Sequence, residues 1–404
     1  MQLELLAPAG NREKLETALY FGADAVYMAG KAFGLRAYCD NFDNDQLADA
    51  VRFCHARGKK AYVTLNIYAF DSDLAPIAEY ARFLEGAGAD GVIVSDPGVL
   101  ATVRACAPAL AVHLSTQANA TNSAAARFWA EQGVQRIVLA REVPLDDIRR
   151  MRDALPPSVE IEAFVHGAMC VAYSGRCLLS AVTTERSGNR GACAQSCRWE
   201  YALAEKTREG QYFPISQDER GTYILNSKDL NMLPYLDKLI DAGVTSFKIE
   251  GRAKTAYYAA TVVNAYRRAI DAYRRDPAHF VLPDALQDEP YKTGHRAFHT
   301  GFYFGAAQQY TISAKPEQTH EMCALVRGYA HGVATVEQRN RFCAGDTVEV
   351  LSPSNAFGKT FAVPAMRDAD GNEVKDAKNV QQLLQMPVPF CLSAGDILRK
   401  KTKK

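Results

Sequence analysis

No stretch of this 404-residue sequence approaches the roughly eighteen uninterrupted apolar residues that a helix needs to cross a bilayer. The opening residues, MQLELLAPAGNREKLE, also lack the basic start and apolar run of an export signal, so the expectation is a cytoplasmic protein with no membrane partner. An excess of charge of one sign is missing too. The 47 Lys and Arg stand against 46 Asp and Glu, a formal +1, so only local clustering of charge can speak to a nucleic-acid partner. Several catalytic signatures are absent as well. His320-Glu321 has no second histidine to complete H-E-x-x-H, no G-x-S-x-G elbow occurs, and Phe357-Gly358-Lys359-Thr360 lacks the earlier glycine of a phosphate-binding loop. Gly86-x-Gly88-x-x-Gly91 spells a dinucleotide fingerprint, but it ends a helix and opens a strand, the reverse of the required order.

Cysteine, by contrast, is plentiful. Ten cysteines without an export signal would stay reduced, as thiols, ligands or nucleophiles. Cys170, Cys177, Cys193 and Cys197 fall in one short stretch with Arg176, Arg190 and Arg198, which reads as a metal or cluster site because thiolates are soft ligands. Zinc sites of four cysteines usually use tight C-x(2-4)-C knuckles, whereas VAYSGR separates Cys170 from Cys177. That spacing favours an iron-sulfur cluster, whose own irons set the sulfur geometry; zinc is the alternative. His166 precedes Cys170 by four residues, so a Cys-His nucleophilic pair also stays open. Cys54, Cys106, Cys323, Cys343 and Cys391 sit in apolar patterns and read as core.

The first 255 or so residues repeat one phrase: a helical run ending in Gly, then a short β-branched strand, then a polar residue. Gly22, Gly58, Gly88, Gly133 and Gly243 each precede such a strand, and ELLAPAG, the run Leu110–Asn119 and VEIEAFVHG bring the strands to eight. Apolar strands alternating with amphipathic helices predict an α/β fold, a (β/α)8 TIM-like barrel, with an open doubly wound sheet as the alternative. The barrel is expected over 1–260 with an insertion at 177–222, followed by a helical linker over 261–315. After that, alternating runs separated by turns predict a small antiparallel β-barrel of about six strands over 316–404.

In such a barrel the site lies at the carboxyl ends of the strands. That places Asn66, Asp96, Gln117, Asn119, Glu142, Glu162, His166, Glu250 and Arg252 at the candidate pocket. For each of these alone, a cap or loop hydrogen bond is the commoner role. Glu162 and His166 are the catalytic candidates; Gln117, Asn119, Glu250 and Arg252 are the substrate-binding ones. Trp199–Tyr201 and Tyr212–Pro214 are expected to pair as a hairpin within the insertion. Arg267, Arg268, Arg274 and Arg275 on one helix read as an RNA-facing or a solvated face, and the closing RKKTKK as a basic or solubilising tail.

The run Glu162-Ala-Phe164-Val165-His166-Gly167-Ala168-Met169-Cys170, then Gly175-Arg176-Cys177-Leu-Leu-Ser180, resembles the signature of the collagenase-like U32 peptidase family. LLAPAG, FGLRAYCDNF, STQANATN and FKIEGR are similar to the same family. The likeness is greatest to its branch in tRNA hydroxylation, in which wobble uridine becomes 5-hydroxyuridine in a process requiring prephenate. The resemblance implies a 4Fe-4S cluster on Cys170, Cys177 and Cys193, with Cys197 or Cys39 as fourth ligand. It also implies tRNA and prephenate, or a similar small carboxylate, as partners, with Arg36 and Arg252 as clamps for the carboxylates. A collagenase-type protease and a zinc-stabilised RNA-binding protein are the competing functions.

Overall fold

The structure, a computed structural model, describes residues 3–35, 40–170, 172–199, 202–204, 212–214, 228–305 and 316–402. Arg36 and Cys39 therefore lie outside the described residues. The chain divides into two units. One comprises residues 1–15, 24–253 and 296–316, the other 16–23, 254–295 and 317–404.

Eight parallel strands form the first unit: β1 (Glu4–Pro8), β2 (Ala25–Met28), β3 (Lys60–Leu65), β4 (Gly91–Val94), β5 (Val112–Leu114), β6 (Arg136–Val138), β7 (Glu160–Ala168) and β8 (Ser246–Ile249). They pair in sequence order, and β8 pairs with both β1 and β7. That last contact closes the barrel and removes the two edges an open sheet would have. All five glycines read as helix caps hold positive φ, the conformation that ends a helix without a Cβ clash. The helix Asn44–His55 begins in a reciprocal capping box between Asp43 and Gln46. Between β7 and β8 the alternation breaks. The cysteine segment enters there, and a short strand, Asp229–Asn231, runs antiparallel to β7. The expected hairpin is present three residues further on than one of its arms was placed, with Ala202–Ala204 against Tyr212–Pro214.

The barrel interior is not purely apolar. Leu6, Ala25, Tyr27, Tyr62 and Ile93 form one cluster, and beside it runs a buried ionic network centred on Arg136. Its guanidinium reaches the buried Glu4 at 2.6 Å and Glu162 at 3.1 Å, and the half-exposed Glu160 at 2.6 Å. Glu162 also receives Lys248 Nζ at 2.6 Å, and Ser246 Oγ donates to Glu4 at 2.8 Å. Charges this deep persist only when fully paired, because removing one partner strands the other in low dielectric.

The second unit carries an eight-stranded antiparallel sheet, a half-barrel rather than the six or so strands expected. Its order is Thr360–Ala362, Thr347–Leu351, Ile397–Lys401, His320–Ala330, Val333–Gln338, Leu383–Pro387, Met366–Arg367, Glu373–Val374. Two basic stretches take roles other than the expected ones. Ile397–Lys401 is an interior strand, not a tail: Arg399 is fully buried against Glu289 at 2.6 Å, and Lys400 pairs with Asp346 at 3.0 Å. On the helix Ala256–Arg275, Arg267 pairs with Asp271 at 2.6 Å, and Arg268 donates to the carbonyls of Ser352 and Ser354 while lying over Phe357. The four-arginine face is thus at least half spent on folding, since hydrogen-bonded guanidinium groups are not offered to phosphate. Cys54 and Cys323 are buried as expected, but Cys106 and Cys343 are only half-buried and Cys391 is exposed. An apolar sequence context does not by itself fix depth.

Arg136→Met should destabilise the protein by about 3–5 kcal/mol, because Glu4 and Glu162 lose their buried counter-charge; the urea midpoint measures it. A pH dependence follows from the same interior. Burial opposes ionisation of Glu4, but the charge and hydrogen bond of Arg136, with hydrogen bonds from Tyr62 and Ser246, together outweigh it and hold the carboxyl below its ordinary 4.5. Burial, reinforced by Arg136, Lys248 and Lys60, holds His113 well below 6.5. Both folded values are depressed, so the stabilisation is complete above the unfolded values and is lost as pH falls through the folded ones. Stability should therefore begin to fall below about pH 6.5 and fall again below about 4.5. Urea midpoints across pH should show a shallower first decline in His113→Gln.

Candidate active site

The strands deliver a ring of polar side chains to the carboxyl end of the barrel, around a cavity of about 160 Å³. Thr64 and Asn66 come from the end of β3, Ser115 and Gln117 follow β5, Arg141 and Glu142 follow β6, and Lys248, Glu250 and Arg252 come from β8 and its continuation. Cys170, Cys177, Cys193 and Cys197 line the same cavity. The volume is below the ~300–1,000 Å³ of sites for drug-sized ligands, so the cavity suits a small substrate or a single base.

The cysteine segment is fastened over the mouth by hydrogen bonds at several points. Ser174 N–H donates to Glu142 Oε1 at 3.0 Å, and Ser174 Oγ donates to Glu142 Oε2 at 3.1 Å. Gly175, at φ +71°, lies so close to the turn after β5 that a Cβ there would stand 2.4 Å from the Gln117 carbonyl oxygen. Only glycine meets both demands. The Tyr68 hydroxyl donates to the Gly175 carbonyl, and Tyr68 N–H donates to the Asn189 carbonyl at 3.0 Å. Arg190 donates to the Tyr68 carbonyl at 2.6 Å and pairs with Asp73 at 3.0 Å. Its hydrogen bond, with that of Phe70 N–H, holds the Asp73 carboxyl below the usual range. Asn189 Nδ2 donates to the Cys177 carbonyl at 3.0 Å, and Gln195 N–H donates to Cys193 Sγ at 3.3 Å. Four thiols on one cavity, one already accepting a backbone N–H, form a donor set that suits a thiolate-held cluster. Among the described residues, no three His, Cys, Asp or Glu side chains stand close enough together to hold a single metal ion.

The other sequence-derived residues separate clearly. Gln117 accepts from Asn66 Nδ2 at 3.0 Å and from Ser115, and both Gln117 and Asn66 line the cavity. Arg252 is buried there, donating to Thr64 Oγ1 at 3.4 Å and to the Leu35 carbonyl. Glu250 lies 3.5 Å from Arg141. Asp96 accepts from Val99 N–H at 3.0 Å and caps the helix Pro97–Cys106, its commoner role. Asn119 sits at φ 56°, and its buried Oδ1 has no hydrogen-bond partner among the described residues. Neither Asp96 nor Asn119 is among the cavity-lining residues. Glu162 is fully buried below the cavity in the Arg136–Lys248 network. His166 is buried with its ring 5.3 Å from Phe298, away from the cavity-lining set. The two catalytic candidates thus stand behind the cavity wall.

Arg141 and Lys248 were not singled out from the sequence, yet both line the cavity. Arg141 donates to the Ala168 carbonyl at 2.7 Å and lies 4.0 Å over the Phe164 ring; Lys248 lies 4.7 Å over the Tyr27 ring. A signal existed for Lys248. It stands two residues from Ser246 and two from Glu250, the alternate positions of a strand otherwise made of apolar residues.

A closed (β/α)8 barrel with a cysteine-lined cavity at the carboxyl ends of its strands defines an enzyme-type scaffold with thiol side chains at its mouth. The sequence profile of peptidase family U32 matches residues 10–313, and that of the peptidase family U32 C-terminal domain matches residues 318–399. The chain belongs to peptidase family U32. It is 40% identical over 403 residues to "tRNA hydroxylation protein P1" of Bacillus subtilis, covering 98% of this chain and 94% of that one. It is 34% identical to "tRNA hydroxylation protein P" of Escherichia coli, covering 96% and 94%. It is 35% identical to "Collagenase" of Porphyromonas gingivalis, covering 87% of each chain.

Gly175→Ala should lift the cysteine segment from the turn after β5, because the added carbon has no room and the backbone has no favourable alternative. Limited proteolysis between 170 and 199 should accelerate while the urea midpoint of the barrel changes little.

Proposed function

We propose that this protein is a tRNA-modifying enzyme that converts a uridine to 5-hydroxyuridine in a process dependent on prephenate, with a 4Fe-4S cluster held by Cys170, Cys177, Cys193 and Cys197. The observation that carries the reading is that these four cysteines line one cavity with Gln117, Glu250 and Arg252. The near full-length likeness to proteins named for tRNA hydroxylation supports the choice of substrate. Replacing a ring hydrogen by hydroxyl is a two-electron oxidation that requires an oxygen donor and an electron acceptor as co-reactants, and a thiolate-held iron-sulfur cluster would supply the electron relay when bound. The chain's own residues bind and orient. Arg141, Lys248 and Arg252 bring cationic side chains to the cavity beside Glu142 and Glu250; each already holds a partner, so a small carboxylate such as prephenate would bind by joining these pairs. Lys248, fixed by Glu162, places a hydrogen-bond donor within an ion pair at the floor of the cavity.

The likeness to a protein named a collagenase motivates the competing reading. A thiol protease needs a cysteine beside a base, and the ring of His166 packs against Phe298 and does not line the cavity that holds Cys170. That geometry favours redox chemistry over hydrolysis.

Anaerobically purified protein should be brown, with iron and sulfide in stoichiometric amounts. Alanine at Cys170, Cys177 or Cys193 should remove both, and Cys197→Ala likewise; full iron in Cys197→Ala would move the fourth ligand to Cys39. A colourless protein containing zinc would support the RNA-binding alternative. Cells carrying Cys170→Ala should lose 5-hydroxyuridine from tRNA, read by mass spectrometry of nucleosides, while bulk proteolysis stays intact. An undiminished 5-hydroxyuridine level in the absence of a paralogue would overturn the reading.

A further inference from the structure

We propose that Tyr68, Phe70, Tyr173 and Trp199 form a stacking platform for unpaired bases of an RNA loop at the mouth of the cavity. This rests on the reading of tRNA as substrate and goes beyond it by assigning the surface that holds the loop. Large aromatic side chains are rarely left open to water in a group without a binding role. Here the exposures are 44% for Tyr68, 62% for Phe70, 65% for Tyr173 and 49% for Trp199.

The four belong to one neighbourhood. Tyr173 itself lines the cavity, and Trp199 follows Cys197, another lining residue, by two positions. Tyr68 is held to the cysteine segment through the carbonyls of Asn189 and Gly175, and Arg190 lies 4.8 Å over the Phe70 ring. The contacts that fasten the segment over the barrel therefore also set the Tyr68, Phe70 and Tyr173 rings beside the opening, and Trp199 follows in the same segment. An aromatic ring so fixed offers its face to a base at little entropic cost, and every base has a π-face to stack on it.

The choice of RNA over another occupant follows from where the rings sit. A base that reaches the cavity must leave its helix, and its unpaired neighbours then need a surface at the rim. Arg176, exposed beside Cys177, adds a cation where the backbone of such a loop would pass. Basic groups that looked available elsewhere, Arg268, Arg399 and Lys400, are engaged within the second unit.

The full-length protein, loaded with its iron, is titrated with an unmodified tRNA transcript. Phe70→Ala, Tyr173→Ala and Trp199→Ala should each weaken binding roughly five- to hundredfold. The salt slope should stay as in the wild type, because no phosphate contact is lost. Tyr173→Phe should bind normally, and single-stranded RNA should compete where duplex RNA does not. These side chains are exposed, so urea midpoints should match the wild type. Unchanged affinity in the triple alanine variant would overturn the platform. So would a wild-type dimer that the same variant splits into monomers, which would assign the rings to a second copy of the chain. Assaying hydroxylation of the same transcript separates the two levels. Loss of affinity with no 5-hydroxyuridine formed by the wild type removes the reaction but leaves the platform; hydroxylation with unchanged affinity in the variants does the opposite.

Discussion

The closed barrel depends on Arg136. From β6 its guanidinium reaches Glu4 on β1 and Glu160 and Glu162 on β7, while Ser246 on β8 joins Glu4. One planar group thus ties the first strand across the barrel interior to β6 and β7, and through Ser246 to β8, the strand that pairs with β1 when the sheet closes. A planar cation with several fixed donors suits this role, whereas a lysine would serve as a point charge. The arrangement is costly to assemble and more costly to leave half made, because an unpaired charge in the barrel has no water to solvate it. Closure and ion pairing are therefore enforced together.

The same network defines the floor of the cavity. Glu162 binds both Arg136 and Lys248, and only Lys248 lines the space above. The carboxylate acts by positioning, since its oxygens are occupied by two cations at full burial. The walls are set by shorter-range contacts. Glu142 holds Ser174, Gly175 lies against Gln117, and Asn189 reaches the carbonyl of Cys177. The cysteines owe their place on the cavity to backbone and side-chain hydrogen bonds in the segment that carries them. Arginine does much of this work: Arg190 fixes the segment to Asp73, and Arg399 fixes the final strand of the second unit to Glu289. Arg268 and Arg399, which a linear reading leaves to RNA or to solvent, are likewise spent on folding because burial strengthens their pairing.

The sequence alone determined the repeating unit. Glycine caps at 22, 58, 88, 133 and 243, each before an apolar strand, are local signals: positive φ and strand propensity need no distant partner, and five barrel strands were legible from them, the other three from their apolar runs. The clustered cysteines and the polar ends of the strands were equally visible, and of those strand-end residues Asn66, Gln117, Glu142, Glu250 and Arg252 do meet at one cavity. Only the tertiary structure decided which polar residue faces where. Glu162 and His166 sit on the right strand, but Glu162 shares the interior face of Phe164 one layer beneath the cavity, and the register shift that pairs Ile249 with His166 turns His166 away from it. Arg141 and Lys248 enter it through partners far away in sequence. Burial of Arg399 and the spending of Arg268 likewise depend on strands and loops that no local pattern names. A side chain's chemistry is written in its own residue; its role is set by the charges and surfaces that folding brings against it.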